Sequence, residues 1–179
     1  MFKSKVGMRG TLTVKVFGPD GKIKRHPQTW WQKLLGLPGR QMISINHNIV
    51  TSEGDALVAD LMQETPERDK VDNTNGTVQV GTGFTTEGKG SDALTTPTGS
   101  AEAMDATYPI TKGDWSAAND DTIVYVVTFD PGDLNDTGID EAILSNGTDT
   151  LAYAEITPTV DVATADTLEV TWEITFLGA

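Results

Sequence analysis

Thr167-Leu-Glu-Val-Thr-Trp-Glu-Ile-Thr-Phe176 alternates Leu168, Val170, Trp172, Ile174 and Phe176 with Thr and Glu. Successive strand residues point to opposite faces, so this period of two predicts a strand with one core face and one wet face. Thr11-Leu-Thr-Val-Lys-Val-Phe17 repeats the pattern with Leu12, Val14 and Val16. Gly18-Pro-Asp-Gly21 then makes a turn, because Pro presets one dihedral and Gly relieves another. Lys22 to Arg25 can return antiparallel, which predicts a hairpin over 10–25. Thr122-Ile-Val-Tyr-Val-Val-Thr-Phe129 is apolar on both faces and reads as a central strand. The Asn146-Gly147 turn pairs 140–144 with 151–156.

Helical spacing occurs in one substantial stretch, Thr51 to Met62. Thr51 or Ser52 can serve as N-cap, Leu57, Val58, Leu61 and Met62 form one stripe, and Pro66 ends the segment. A polar loop, 67–76, follows. Val78 and Val80 lead into 81–121, a long stretch of small and polar residues anchored by Met104, Tyr108, Ile110 and Trp115. The expected fold is mainly β, an antiparallel β-sandwich with one short α-helix and a basic N-terminal hairpin or arm. Residues 1–179 make one domain. Within it, 1–50 form the basic hairpin and docking segment, 51–66 the helix, and 77–179 the sandwich body with its long loop 81–121.

Charge adds a division that hydropathy does not show. The net charge of −13 hides nine Lys or Arg against Asp20 alone in residues 1–50, a local +8, and −21 over the rest. A polarised chain can attract an identical copy of itself, basic arm to acidic body, or an acidic neighbour in an assembly. The same cations could also mark a basic edge strand that resists aggregation. Nucleic acid is disfavoured as a partner, because the −21 portion repels a phosphate backbone. Cysteine is absent, which excludes disulfides and thiolate sites. No apolar run is long enough to cross a membrane, and no apolar segment follows Met1 to Lys5, so a soluble chain with no membrane partner is expected.

No arrangement of residues carries catalytic chemistry. Gly83-Phe-Thr-Thr-Glu-Gly-Lys-Gly90 matches a phosphate-binding loop except at its last position, where Gly90 replaces the magnesium-holding Ser or Thr. The following Ser91-Asp-Ala-Leu-Thr-Thr-Pro97 is a poor helix, so the helix N-terminus that should meet phosphate is missing. Asp130, Asp133 and Asp136, with Asp120 and Asp121, read as solvated turns. Val71-Asp-Asn-Thr-Asn-Gly76 lacks the first ligand of a calcium loop. His26 and His47 have no carboxylate neighbour in sequence. No cofactor and no metal are expected, and the chain reads as a non-enzyme.

Thr29-Trp-Trp-Gln-Lys-Leu-Leu-Gly-Leu-Pro38 is the most apolar passage of the N-terminal segment. Gly36 and Pro38 break it, so it suits neither a core strand nor an independent helix. In an extended segment Trp30 and Trp31 would point in opposite directions and could not share one core. Either the segment folds back over its own sandwich or it inserts into a partner; the adjacent pair favours the partner, and Trp30 and Trp31 are read, with Leu34 and Leu35 and the cations Lys22, Lys24 and Arg25, as a partner-docking element. Tyr108 and Trp115 are candidate stacking platforms for a host receptor or glycan.

The order of segments also resembles a widespread group of small structural proteins of tailed viruses. It runs from the N-terminal hairpin through Asn48-Ile-Val-Thr-Ser-Glu-Gly-Asp-Ala-Leu57 to Val78-Gln-Val-Gly-Thr-Gly83 and Ser91-Asp-Ala-Leu94. It closes with Ile139-Asp-Glu-Ala-Ile-Leu144, Leu151-Ala-Tyr-Ala-Glu-Ile-Thr-Pro158 and 166–176. The basic N-terminus and the Trp30 to Arg40 insertion depart from that pattern. The resemblance implies a non-enzymatic virion protein, assembled in the host cytoplasm, on the tail or baseplate or as a decoration or turret on the capsid. Its partners would be copies of itself and other virion proteins. The alternative is a carbohydrate- or receptor-binding module of the particle.

Overall fold

The computed structural model describes residues 7–112 and 121–177. Among these residues nine strands appear in the order β1 (Gly7–Phe17), β2 (Ile43–Val50), β3 (Thr77–Thr82), β4 (Thr96–Ala103), β5 (Ile110–Thr111), β6 (Thr122–Phe129), β7 (Asp136–Ser145), β8 (Thr150–Val162) and β9 (Thr167–Leu177). Two helices, α1 (Trp30–Leu34) and α2 (Ser52–Leu61), join them. The chain is thus mainly β and antiparallel. All nine strands hydrogen-bond into one sheet ordered β4-β3-β7-β8-β2-β1-β9-β6-β5, where two separate layers were expected. The sheet curls until its ends approach. The amide of Asp105, just beyond β4, donates to the Val126 carbonyl at 2.9 Å, and Thr128 donates its amide to the Asp105 carboxylate.

Continuity comes from β1 and β2. Strand β1 pairs along its whole length with β9, Gly7 opposite Leu177 through Phe17 opposite Thr167, and on its other side with β2. The basic N-terminal segment therefore supplies the middle of the sheet, and its first strand is no edge. The expected hairpin over 10–25 shrinks to one bridge, Phe17 opposite Ile23, around the Gly18–Lys22 turn. Strand β6, expected to be central, pairs with β9 on one side and with only the two residues of β5 on the other.

The concave face holds the core. Leu12, Val14 and Val16 meet Leu168, Val170, Trp172 and Ile174, as alternation predicts, with Tyr125, Val127 and Phe129 alongside. Thr51 caps α2 by accepting from the Gly54 amide, and its hydroxyl donates to the Thr150 carbonyl. The helix lies so close to β8 that a Cβ at Gly54 would stand 2.2 Å from the Leu151 carbonyl oxygen, so only glycine fits there. Leu57 is buried, while Met62, expected in the same stripe, is 84% exposed.

The described residues of the expected long loop 81–121 include two strands, β4 and β5. Residues 83–95 form a strap over the convex face, and β4 and β5 follow. Glu141 is fully buried beneath the strap and accepts from the amides of Thr95 (2.7 Å) and Thr96 (3.1 Å) and from the Tyr153 hydroxyl. Burial, then the Glu141 carboxylate, pushes the Tyr153 phenol well above its ordinary pKa, so it remains the donor. The β7–β8 register slips here, with Ile139 opposite Val160 but Glu141 opposite Glu155. Such irregularities re-aim side chains. Ile139 joins the core and Glu141 turns to the strap.

Candidate functional site: an exposed tryptophan loop

The connection from β1 to β2 projects from one end of the sheet. Its base is a second pairing of backbone. The His26 amide donates to the Arg40 carbonyl (2.8 Å), and Arg25 forms a bridge with Gln41 and donates a guanidinium hydrogen bond to the Gly39 carbonyl (2.7 Å). A Cβ at Gly39 would fall 2.1 Å from the His26 carbonyl oxygen, so the neck is as narrow as two backbones allow. Gln28 closes the loop further by donating to the Leu37 carbonyl (2.7 Å).

Beyond the neck, Thr29 starts α1. Its hydroxyl accepts from the Gln32 amide, and the Gln32 side chain accepts from the Thr29 amide (2.9 Å), a reciprocal capping box. Gly36, at φ 64°, lets the chain reverse after this single helical stretch. The helical turn changes how the side chains are displayed. Trp30 and Trp31 do not diverge as in a strand but stack on each other, ring centroids 3.6 Å apart. Trp30 (63%), Trp31 (57%), Leu34 (69%), Leu35 (66%) and Leu37 (50%) are all exposed. Among the described residues no other stretch concentrates large exposed apolar side chains this way; Ile45, Met62 and Ile110 are scattered.

The three cations assigned to docking are used nearer home. Lys24 forms an ion pair with Asp166, a residue only 5% exposed, and also donates to the Asp161 carbonyl (3.1 Å). Lys22 is 3.5 Å from Asp20, and Arg25 holds the loop neck. Lys15 likewise meets Glu169, its cross-strand neighbour on β9, at 2.6 Å. Part of the basic segment's charge is therefore matched within the same chain. Lys33 and Arg40 are exposed and, among the described residues, have no carboxylate within ion-pair distance. These two cations beside the tip were not singled out from sequence, though both lie inside the apolar segment's own neighbourhood. Lys3 and Lys5 lie outside the described residues.

The remaining candidates are not brought together. Tyr108 is half-buried in a turn, its amide donating to the Asp105 carbonyl (3.1 Å), and Trp115 lies outside the described residues. The phosphate-loop-like 83–90 belongs to the strap. No helix follows it, and Lys89 is paired with Asp55 at 2.6 Å. Asp133 accepts the Asp130 amide and Asp136 the Thr137 amide and Thr98 hydroxyl, so these carboxylates cap turns and tie β4 to β7. Those bonds hold the Asp136 carboxyl below its ordinary pKa, the Thr98 hydroxyl contributing most. Among the described residues no three His, Asp or Glu side chains converge as a metal-ligand set. No helix of the described residues is long and apolar enough to cross a membrane.

No family model, no curated protein and no solved structure matches the chain. What the fold and the exposed loop define on their own is an antiparallel β-protein that presents a preformed apolar tip on a narrow neck.

Proposed function

We propose that the protein is a non-enzymatic structural component of a tailed-virus particle and that it works by protein–protein contact as a homo-oligomer. Its place is the tail or baseplate, or the capsid surface as a decoration protein. The observation that carries the docking part is the tip of loop 26–40. Five large apolar side chains stand at least half exposed on a segment whose own hydrogen bonds hold it in shape. Leaving such a cluster in water is unfavourable by roughly 25 cal/mol per Å² of apolar surface, and preorganised aromatic clusters are the usual anchors of protein interfaces. The particle assignment rests on the resemblance in segment order. The body that carries the loop is one curled antiparallel sheet, in place of the two-layered sandwich read from sequence.

Light scattering coupled to size-exclusion chromatography, on the whole chain at low and high salt, tests the reading. Self-association that weakens with salt and is lost in Trp30→Ala/Trp31→Ala supports it. A monomer at every salt concentration, with no affinity for other particle proteins, defeats it.

A further inference from the structure

We infer that the tryptophan loop of one copy docks into an apolar groove at the opposite end of the sheet in the next copy, so that chains join head to tail. This rests on the self-association proposed above and names the surface that receives the loop. The groove lies between α2 and strands β6 and β9. Leu57, Val58, Leu61, Val71, Ile123 and Phe176 line a cavity of about 270 Å³, and among the described residues its polar lining side chains are Lys70 and Tyr125. A cavity of about 150 Å³ accommodates a benzene ring, so an indole fits. Met62, at the rim, is exposed and unbranched, suited to closing over an incoming ring.

A chain cannot fill its own groove. Met8 pairs with Phe176 at the groove end of β1, and Val16 pairs with Leu168 at the loop end. Eight residues at about 3.3 Å per residue separate the two by about 26 Å. The loop is closed on itself at Gly39 and Leu37, so it does not reach back.

Charge selects the arrangement. Residues 21–40 carry five cations and no carboxylate. Residues 52–72, which form the groove's helical wall and rim, carry seven carboxylates against Arg68 and Lys70, a net of −5. Glu64, Glu67 and Asp69 lie exposed on the segment joining Met62 to Lys70. With Lys22 and Lys24 matched by Asp20 and Asp166, a loop-to-loop contact would still set the exposed Lys33 and Arg40 of one copy against those of the other. A loop-to-groove contact sets them against a net negative rim, which favours encounter and fixes orientation. Because the two surfaces differ, the contact is heterologous and generates a ring if it closes or a filament if it does not.

Two variants separate the halves of the joint. Trp30→Ala/Trp31→Ala removes the knob. Met62→Arg/Glu64→Lys blocks and recharges the groove at exposed positions that leave the fold intact. Each variant alone is expected to lose self-association by roughly thirtyfold or more, the size of a hot-spot loss. Mixed in equal amounts at low salt, the two form a dimer and no larger species, since only one intact knob and one intact groove can meet. If the groove variant assembles like the wild type, the loop docks elsewhere, and the inference fails while the proposed function stands. A mixture of folded variants that stays monomeric also overturns it. A wild-type chain that is monomeric at every salt concentration overturns the inference, and one that also has no affinity for other particle proteins overturns the proposed function with it.

Discussion

Two long connections decorate the sheet, the strap 83–95 and the loop 26–40, and apolar content predicts their fates in reverse. The strap has only Phe84 and Leu94 as large apolar residues, yet it is laid onto the body; Leu94 is buried and Phe84 stacks near Tyr153 with centroids 6.1 Å apart. The loop has two tryptophans and three leucines and stands off in solvent. The difference lies in where the backbone polar groups go. The strap's bonds run to the body: Phe84 to Asp140, Thr95 and Thr96 to Glu141, the Thr150 hydroxyl to the Asp92 carbonyl, and the Ser52 amide to the Lys89 carbonyl. The loop's bonds run to itself, Thr29 with Gln32, Gln28 with Leu37 and Arg25 with Gly39. A segment can be buried only where its backbone finds partners. Hydrophobic side chains that lack such a route stay outside.

The strongest way to break this contrast is Glu141→Ala. It strands the amides of Thr95, at the end of the strap, and Thr96, at the start of β4, and the Tyr153 hydroxyl, all against a fully buried carboxylate. Bonds to a charged acceptor contribute about 1.5–3 kcal/mol each, non-additively, so a loss of about 3 kcal/mol in urea unfolding is expected. Amide exchange across 84–96 should rise with it. A loss below about 1 kcal/mol would mean that stacking of Phe84 on Tyr153, and not the carboxylate, holds the strap.

Thr29→Ala is the corresponding change in the loop, and its effect is smaller and local. Losing an N-cap costs about 1 kcal/mol. Because the loop is bonded to itself, that loss should appear as faster exchange at the Lys33 amide, which bonds the Thr29 carbonyl, with no change in the global midpoint. A shift of the global midpoint would show that the loop unfolds together with the sheet.

The capping box just described was present in the sequence as Thr29-Trp-Trp-Gln32, and α1 was nevertheless not expected, because five residues with Gly36 and Pro38 behind them look too short to persist. It persists as one capped turn on a closed neck. Strands β1 and β9, helix α2 with its Thr51 cap, and the β7–β8 hairpin were legible because their signals are local: period two, an N-cap, Asn146-Gly147. Strand β4, Thr-Pro-Thr-Gly-Ser-Ala-Glu-Ala, has no large apolar residue and exists as an edge only because β3 pairs with it. The single sheet depends on β1 meeting β9 150 or more positions away, a pairing no local pattern encodes. Of the candidate site, the tip residues were legible from hydrophobicity. The internal ion pair of Lys24 and the groove opposite were not, since both join segments distant in sequence.

A finer probe of the strap is Glu87→Gln. Desolvation raises the Glu87 carboxyl above its ordinary 4.5, a hydrogen bond from the Glu155 backbone opposes it, and the Glu155 charge raises it further against the smaller pull of His47. The folded chain therefore holds this proton more tightly than the unfolded chain. Stability falls as pH rises from about that value through the raised pKa. Glutamine removes the charge, so the variant should match the wild type in acid and be slightly more stable above that window. Urea midpoints across pH 4 to 7 check this, and a variant less stable than the wild type at neutral pH would reverse the assignment.

The smallest effect on stability is expected where hydrophobicity is greatest. Trp30→Ala/Trp31→Ala removes two indoles that stack on each other and are more than half exposed. The unfolding free energy should stay within about 0.5 kcal/mol of the wild type, the range of surface substitutions remote from the core. A loss of 2 kcal/mol or more, on the scale of deleting a buried aromatic, would place the pair on the body and erase the contrast with the strap. Loss of assembly together with unchanged unfolding has only one physical source, a contact made between molecules and absent within one. That combination, measured on the same double variant, separates a docking surface from an unfinished core.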